Sequence, residues 1–378
     1  QHAIKEGRAR VIETVLEDVA HGGWTVARID GKVMFVAGGL PGERVRVERT
    51  DEGRRFDRGR VVAVLEPHAE RVEPPCPVAG VCGGCDWQHA SVPFQRELKR
   101  RVVAEQLHHL AGIEWDGVVQ EVGPTWGWRT RMRYVAEDGR LGLRGRRSHD
   151  VVPLPDEGCR IAGVQPPALP AGVRELEVVD AASGRSVLAD GDLVEGRGVV
   201  VERAAGREYL VDADGFWQVH PAAADTLVTA VRRALAPADG ERAVDLYCGV
   251  GLFAGALADD GLEVWGVEVS RAAVEHAREN VPGARFDVGR VERVLRRRHR
   301  RADVVVLDPP RKGAGREVVE AVARMRPRAV AHVACDPSAL GRDLALFREQ
   351  GYVTTAIEAF DLFPQTHHIE CVATLRRK

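Results

Sequence analysis

The sequence predicts an α/β protein with three parts: a small N-terminal β-barrel of the OB type, a central α+β segment with a cysteine loop, and a C-terminal doubly wound, mostly parallel sheet. Three observations carry this expectation. Residues 8–66 are short β-branched runs cut by Gly22-Gly23, Asp30-Gly31, Gly38-Gly39 and Pro41-Gly42, the punctuation of a small antiparallel barrel of about five strands. Cys76, Cys82 and Cys85 crowd one glycine-rich loop. From about residue 216 apolar strands alternate with helical stretches, which requires crossover connections and hence parallel pairing. The boundaries expected are 1–68, 69–210 and 211–378.

Bulk composition narrows the class. A chain of 378 residues, 44% hydrophobic and 29% charged, is that of a globular protein of two or three domains. The net charge of −2 means that any nucleic-acid surface is a local patch and not a property of the whole chain. No uninterrupted apolar run approaches a membrane span, and QHAIKEGRAR has no apolar signal core. No membrane segment and a cytoplasmic location are therefore expected. Seven cysteines, clustered and odd in number, favour metal binding or catalysis over disulfides. Nothing calls for an oligomer, so a monomer is expected.

Within the barrel segment, Arg44, Arg46, Arg49, Arg54, Arg55, Arg58 and Arg60 are candidates to face phosphates. The cysteine loop reads Cys-x5-Cys-x2-Cys, and Cys159 follows 74 positions after Cys85. Four thiolates can hold one tetrahedral metal or one iron–sulfur cluster, and spacing alone leaves zinc and a 4Fe–4S cluster both open. Residues 92–111 have helical periodicity with a basic face at Arg96, Lys99, Arg100 and Arg101. Between Trp126 and His149 stand seven arginines against two acids, with Trp126, Trp128 and Tyr134 among them. That composition suits an RNA surface, because aromatic rings stack unpaired bases. Residues 160–205 look like an inserted mixture of helix and strands, and 205–215 has hairpin character.

The C-terminal part is organised around Val244-Asp245-Leu246-Tyr247-Cys248-Gly249-Val250-Gly251. An apolar strand ending in an acid, then a glycine-rich turn and a helix, lets backbone approach a nucleotide-like ligand. Helices are expected at 221–236, 252–259, 271–280, 315–325 and 338–349, and strands at 242–246, 263–267, 303–307 and 328–333 and near 352–358 and 369–376. Ligands lie at the carboxyl ends of such strands, and the conspicuous residues stand there. Glu268 ends a strand 23 residues past Asp245, where a carboxylate can accept ribose hydroxyls. Asp308 opens Asp-Pro-Pro-Arg, a loop stiffened by two prolines. Cys335 follows an apolar strand, a position that suits a nucleophile. Glu370 begins or interrupts an apolar strand, where a carboxylate is costly unless it is used or paired. The run Arg296–Arg301 is a charged helix end that can also touch RNA.

Together, FWQVH, DLYCGVG, VEVS, DPPRKG, ACDP and FPQTHHIE, behind GKVMFV and LPGE in the barrel segment and the Cys-x5-Cys-x2-Cys loop, resemble the TRAM-domain-bearing RNA 5-methyluridine (uracil-C5) methyltransferases. The likeness covers nearly all of the chain except roughly 160–205. It implies a class I, Rossmann-like catalytic domain using S-adenosyl-L-methionine, behind a TRAM RNA-binding barrel. It implies Cys335 as nucleophile and Glu370 as general base. Gln218, Tyr247, Glu268 and Asp308 match cofactor-contacting positions, and Cys76, Cys82, Cys85 and Cys159 match ligands of a 4Fe–4S cluster. The RNA implied is ribosomal (23S), with transfer RNA the alternative. His220, Leu252 and Arg290 depart from the family's pattern, so no cofactor contact is carried over to them. Two other readings stay open here: methyl transfer to a different nucleobase atom or a small molecule, and an RNA-binding iron–sulfur protein without catalysis.

Overall fold

The computed structural model describes residues 11–298 and 301–378. His299 and Arg300, in the middle of the basic run, and the N-terminal ten residues lie outside the described set. The chain divides into two compact units. The first holds the described residues up to Val102 together with Arg144–Val152 and Pro364–His367, and the second holds Val103–Leu143, Pro153–Phe363 and His368–Lys378.

The first unit is built on a six-stranded, mostly antiparallel sheet. Its order is Val11–Val15, Arg44–Glu52, Asp57–Glu66, Lys32–Ala37, Trp24–Ile29, Val19–Ala20, with a parallel pairing between Lys32–Ala37 and Asp57–Glu66. Alternation in Arg44–Glu52 sends Val45 and Val47 inward against Leu16, Ala27, Met34 and Val36. The outward arginines are not the free phosphate-facing row that the sequence suggests. Arg44 pairs with Glu13 and Glu66, Arg49 with Asp57, Arg58 with Asp51 and Arg60 with Glu48. Cross-strand neighbours supply these acids, as the Glu48↔Arg60 register shows. Among the described residues, Arg54 and Arg55 alone of the seven carry no ion pair.

The helix Val92–Ala111 matches its expected span, but its basic face is not as expected. Lys99 is fully buried, and Arg100 and Arg101 both bond Glu97. In the first unit Phe94, Leu98 and Val102 pack with Trp87, Ala90, Val19 and Leu40. The segment after the cysteine loop is bonded to Pro364–His367: the Asp86 and Trp87 N–H groups donate to the Gln365 carbonyl, and Asp86 accepts from His367 at 2.6 Å.

The second unit contains an eight-stranded sheet in the order Arg285–Val288, Glu263–Glu268, Arg242–Leu246, Val304–Leu307, Ala329–Ala334, Glu370–Arg377, Tyr352–Asp361, Val119–Glu121. The first five run parallel, and Glu370–Arg377 runs antiparallel to both neighbours. Successive residues of one strand serve opposite faces: Val304 and Val306 join one buried cluster, Val305 and Leu307 the other. Helices Ala223–Leu235, Leu252–Asp259 and Arg271–Asn280 pack in the first cluster, and Gly315–Met325 and Pro337–Glu349 in the second. This is the doubly wound arrangement. The strand Arg285–Val288 lies outside the expected set, and the helix whose charged end the arginine run marks is short, Val291–Arg297; both are brief and highly charged, so periodicity gives little signal.

Residues 160–205 hold strands Glu175–Ala181, Gly184–Ala189, Asp192–Glu195 and Val199–Ala204, and no helix, which corrects the expected mixture. The first three extend a sheet that also contains Arg131–Glu137 and Arg140–Arg144, and Val199–Ala204 forms a hairpin with Arg207–Asp212. Trp128 and Tyr134 are fully buried, so neither is a platform for bases. Arg131 bonds Glu202 and Arg133 pairs with Glu175 and Glu177. In the first unit, Arg147 lies 4.3 Å from the centre of the Trp24 ring.

Candidate active site

The glycine-rich turn is shaped by three features. Asp245, completely buried, accepts the Ala254 N–H at 2.8 Å and ties the strand end to the helix that follows. Tyr247 adopts φ +63°, a left-handed conformation uncommon for a bulky residue. Gly251, at φ +94°, sits where a Cβ would come within 3.2 Å of Val281. Glu268 completes the turn: one oxygen accepts from Val269 and Ser270 N–H at 2.7 and 2.8 Å, the other from Gly249 N–H at 3.2 Å.

Tyr247, Asp308 and Cys335 each follow directly on a parallel strand, and Glu268 ends one. Glu370 reaches the same edge by the opposite route. Its strand is antiparallel, so its beginning lies beside the end of Ala329–Ala334, with Cys371 opposite Ala334. The result is a single cavity of about 1070 Å³ that Gln218, Tyr247, Glu268, Asp308, Cys335 and Glu370 all line. That is ample for a drug-sized ligand. With Glu268 fixed at one end and a glycine turn free of Cβ obstruction at Gly249, the residues present fit a nucleoside-bearing methyl donor.

Of the three positions departing from the family pattern, Leu252 and Arg290 line the cavity. His220 is buried, with its ring 6.0 Å from that of Trp128. Sequence reasoning missed Arg311, Phe216 and His368, which also line the cavity. Arg311 stood in plain view after Asp-Pro-Pro; Phe216, exposed at 74%, carries no motif beyond its place in FWQVH.

The electrostatics are those of a crowded acid cluster. Burial, then the Asp308 charge, pushes the Glu370 carboxyl well above its ordinary value, and Glu370 Oε1 has no hydrogen-bond partner among the described residues. Burial raises Asp308 to about 6, partly offset by His332. Burial and the charges of Glu370 and Asp308 push the Cys335 thiol up to about 12, and Arg311 works the other way. A low-dielectric site holding two acids and a thiol resists having all of them ionised together. Proton movement among Glu370, Asp308 and Cys335 is therefore linked.

Cys76, Cys82 and Cys85 belong to the first unit and Cys159 to the second, and among the described residues no three His, Cys, Asp or Glu side chains form a metal-holding group. The loop itself is suited to thiolate chemistry. Gly84 N–H points at Cys82 Sγ at 3.4 Å, and a Cβ at Gly83 would lie 2.9 Å from the Arg144 carbonyl. No helix among the described residues is long and apolar enough to cross a membrane.

Comparison with known proteins gives the family. Residues 290–378 match the tRNA (uracil-5-)-methyltransferase family, and residues 244–308 match a methyltransferase domain. A Streptomyces avermitilis protein described as an uncharacterized RNA methyltransferase is 46% identical over 96% of this chain and 97% of its own length. A Streptomyces coelicolor protein with the same description is 43% identical over 99% and 96%. Among solved structures, the Pyrococcus abyssi tRNA (uracil-54, C5)-methyltransferase in complex with S-adenosyl-L-homocysteine superposes with a TM-score of 0.75 at 22% identity, covering 96% of this chain and 100% of that one. That likeness is one of fold. The chain belongs to the RNA (uracil-5-)-methyltransferase family, enzymes that take their methyl group from S-adenosyl-L-methionine.

Proposed function

We propose that this enzyme forms 5-methyluridine in ribosomal RNA, in the 23S molecule, through a covalent adduct between Cys335 and the target uracil. The observation that carries the proposal is the placement of Cys335 and Glu370 at one cavity, with Glu370 buried and one of its oxygens unbonded. Carbon-5 of uracil is too poor a nucleophile to be methylated directly. Cys335, its thiol proton lost to solvent, adds as the thiolate through Sγ to carbon-6, which forms an enolate and places electron density on carbon-5. S-adenosyl-L-methionine supplies a sulfonium methyl group, which carbon-5 takes up. Glu370 then removes the carbon-5 proton, the double bond re-forms, and the Sγ–C6 bond breaks. Asp308 orients the base edge or the methionine end of the cofactor, and Gln218, Tyr247 and Glu268 bind the cofactor. The target uridine must leave its stack to enter the cavity.

The division of labour we favour assigns RNA contact to a TRAM-like barrel at 1–68, a second RNA-facing surface to 69–210, and chemistry to 211–378, with the enzyme working as a cytoplasmic monomer. Cys76, Cys82, Cys85 and Cys159 would hold a 4Fe–4S cluster, whose role is structural or RNA-positioning. Four soft donors and the Gly84 N–H directed at Cys82 Sγ support this reading. Iron and sulfide analysis of anaerobically purified protein tests it: the assignment predicts about four of each per chain, and zinc in their place would overturn it.

The ribosomal choice rests on the sequence likeness to TRAM-bearing enzymes. Transfer RNA is the second reading, favoured by the description of the family matched at 290–378. Methyl transfer from labelled S-adenosyl-L-methionine to unmodified ribosomal and transfer RNA, followed by nucleoside mass analysis, separates them. 5-Methyluridine in one pool identifies the substrate. A different methylated nucleoside would sink the Cys335–Glu370 mechanism, and no transfer would favour the binding-protein alternative.

A further inference from the structure

Behind the cavity wall lies a buried pair that the mechanism does not use. His332, on the strand leading to Cys335, is fully buried, and so is Asp343, on the helix Pro337–Glu349. His332 Nδ1 lies 3.0 Å from the Val333 carbonyl, and Nε2 lies 2.9 Å from Asp343 Oδ2. The carbonyl only accepts, so Nδ1 carries a hydrogen. Asp343 also acts as an acceptor on both oxygens: Oδ2 takes the Ala314 N–H at 2.7 Å and Oδ1 the Gly315 N–H at 3.0 Å. With Asp343 ionised, Nε2 donates to it, so that each ring nitrogen of His332 faces an acceptor. Burial opposes ionisation of Asp343, yet the His332 bond and the two backbone donors hold it below its ordinary value.

The Asp343 carboxylate thereby clamps the far end of the Asp308–Gly315 loop. Gly313, at φ +86°, leaves no room for another residue type, since a Cβ there would lie 2.8 Å from Asp343 Oδ2. The near end of the loop is stiffened by Pro309 and Pro310. Between the two fixed ends stand Arg311 and Lys312, cavity-lining cations, one of which favours ionisation of Cys335.

We infer that His332 is a positioning residue for methyl transfer: held in the sheet with both nitrogens protonated, it fixes Asp343, and Asp343 fixes the loop that brings Arg311 beside Cys335. The inference rests on the reading of Cys335 as nucleophile. It assigns His332 to the nucleophile's side of the cavity and predicts a far larger effect on turnover than on cofactor affinity.

The test begins with unmodified full-length protein. Nitrogen-15 spectra of the histidine side chains, assigned with the His332→Gln variant, should show two N–H signals for His332; one signal only would overturn the inference whatever Cys335 does. For His332→Leu we expect kcat for RNA methylation to fall about tenfold or more, the scale of a misplaced reacting group. The calorimetric Kd for S-adenosyl-L-methionine should change far less than kcat, since Glu268 and the glycine turn are untouched and only Asp308, whose burial His332 partly offsets, lies on the released loop. Alkylation of Cys335 by iodoacetamide, followed by peptide mass, should slow in the same variant because Arg311 is no longer held against the charges of Glu370, Asp308 and Asp336. His332→Gln, which can still donate to Asp343, should recover most of both losses. Equal rates in Leu and Gln variants, or cofactor affinity lost in step with kcat, would overturn the proposal. Turnover retained in Cys335→Ala would instead remove the underlying reading, a separate result.

Discussion

Two glutamates stand at the ends of strands in the same sheet and could hardly be treated more differently. Glu268 accepts three backbone N–H groups, two from the residues that follow it and one from Gly249 in the glycine-rich turn. Glu370 is buried beside Asp308 and Cys335 with an oxygen left unbonded. A carboxylate that is already satisfied is fixed in orientation and offers its remaining lone pairs to a ligand. A buried carboxyl with an oxygen left unbonded has a weakened hold on its charge and is a ready proton acceptor once the site fills. On the proposed reading the two ends of the cavity differ in kind, one prepared for binding and one for proton transfer.

The largest effect expected is on the reactive end. Cys335→Ala should reduce methyl transfer by about four orders of magnitude or more, as loss of a covalent nucleophile does. Its Kd for S-adenosyl-L-methionine should be unchanged by calorimetry. If affinity falls too, the cavity is not divided as described. Glu370→Gln should lower turnover by about 10²–10⁴ and leave a slowly released protein–RNA adduct, visible as a shifted band on a denaturing gel. The same variant removes a negative charge that raises the Cys335 thiol, so Cys335 alkylation at a fixed pH should become faster.

Glu268→Ala should act in the opposite sense. Loss of charged hydrogen-bond acceptors costs about 1.5–3 kcal/mol, which is a rise of roughly 10- to 100-fold in cofactor Kd, while the rate at saturating cofactor stays within a few-fold. The smallest effect concerns stability. The Glu370 carboxyl is raised in the folded protein, so the folded state binds more protons than the unfolded one above the ordinary glutamate range, and stability is lost as pH rises through that window. Asp308, raised to about 6, adds to the same loss between about pH 4 and 6. Glu370→Gln should therefore raise Tm at pH 8, by about 2–4 °C for each kcal/mol recovered, and leave it unchanged near pH 4. A lower Tm at pH 8 would show that Glu370 is paired in solution.

Asp308 and Cys335 were legible because each directly follows a strand that is almost wholly apolar. Val304–Leu307 before Asp308 and Ala329–Ala334 before Cys335 leave little doubt about where a parallel strand stops, and the fold rule places ligands there. The surface was far less legible. Arg60 looks free in the sequence, but its partner Glu48 arrives by strand register, which local pattern does not reveal. Trp128 and Tyr134 have the composition of a stacking surface and the location of a core. His332 and Asp343 are eleven residues apart on a strand and a helix, and their pairing depends on how that helix packs. Motifs announce chemistry at strand ends; they say little about which charges are neutralised.

The left-handed backbone at Tyr247 has a consequence for anyone who sets out to make this enzyme sturdier. A bulky residue there gives up conformational energy that glycine would not. A library at position 247 sorted only for resistance to heat or protease should therefore enrich glycine and asparagine, and one sorted for methylation should return tyrosine. Consensus-style thermostabilisation that passes through this turn is expected to trade away the property it set out to preserve.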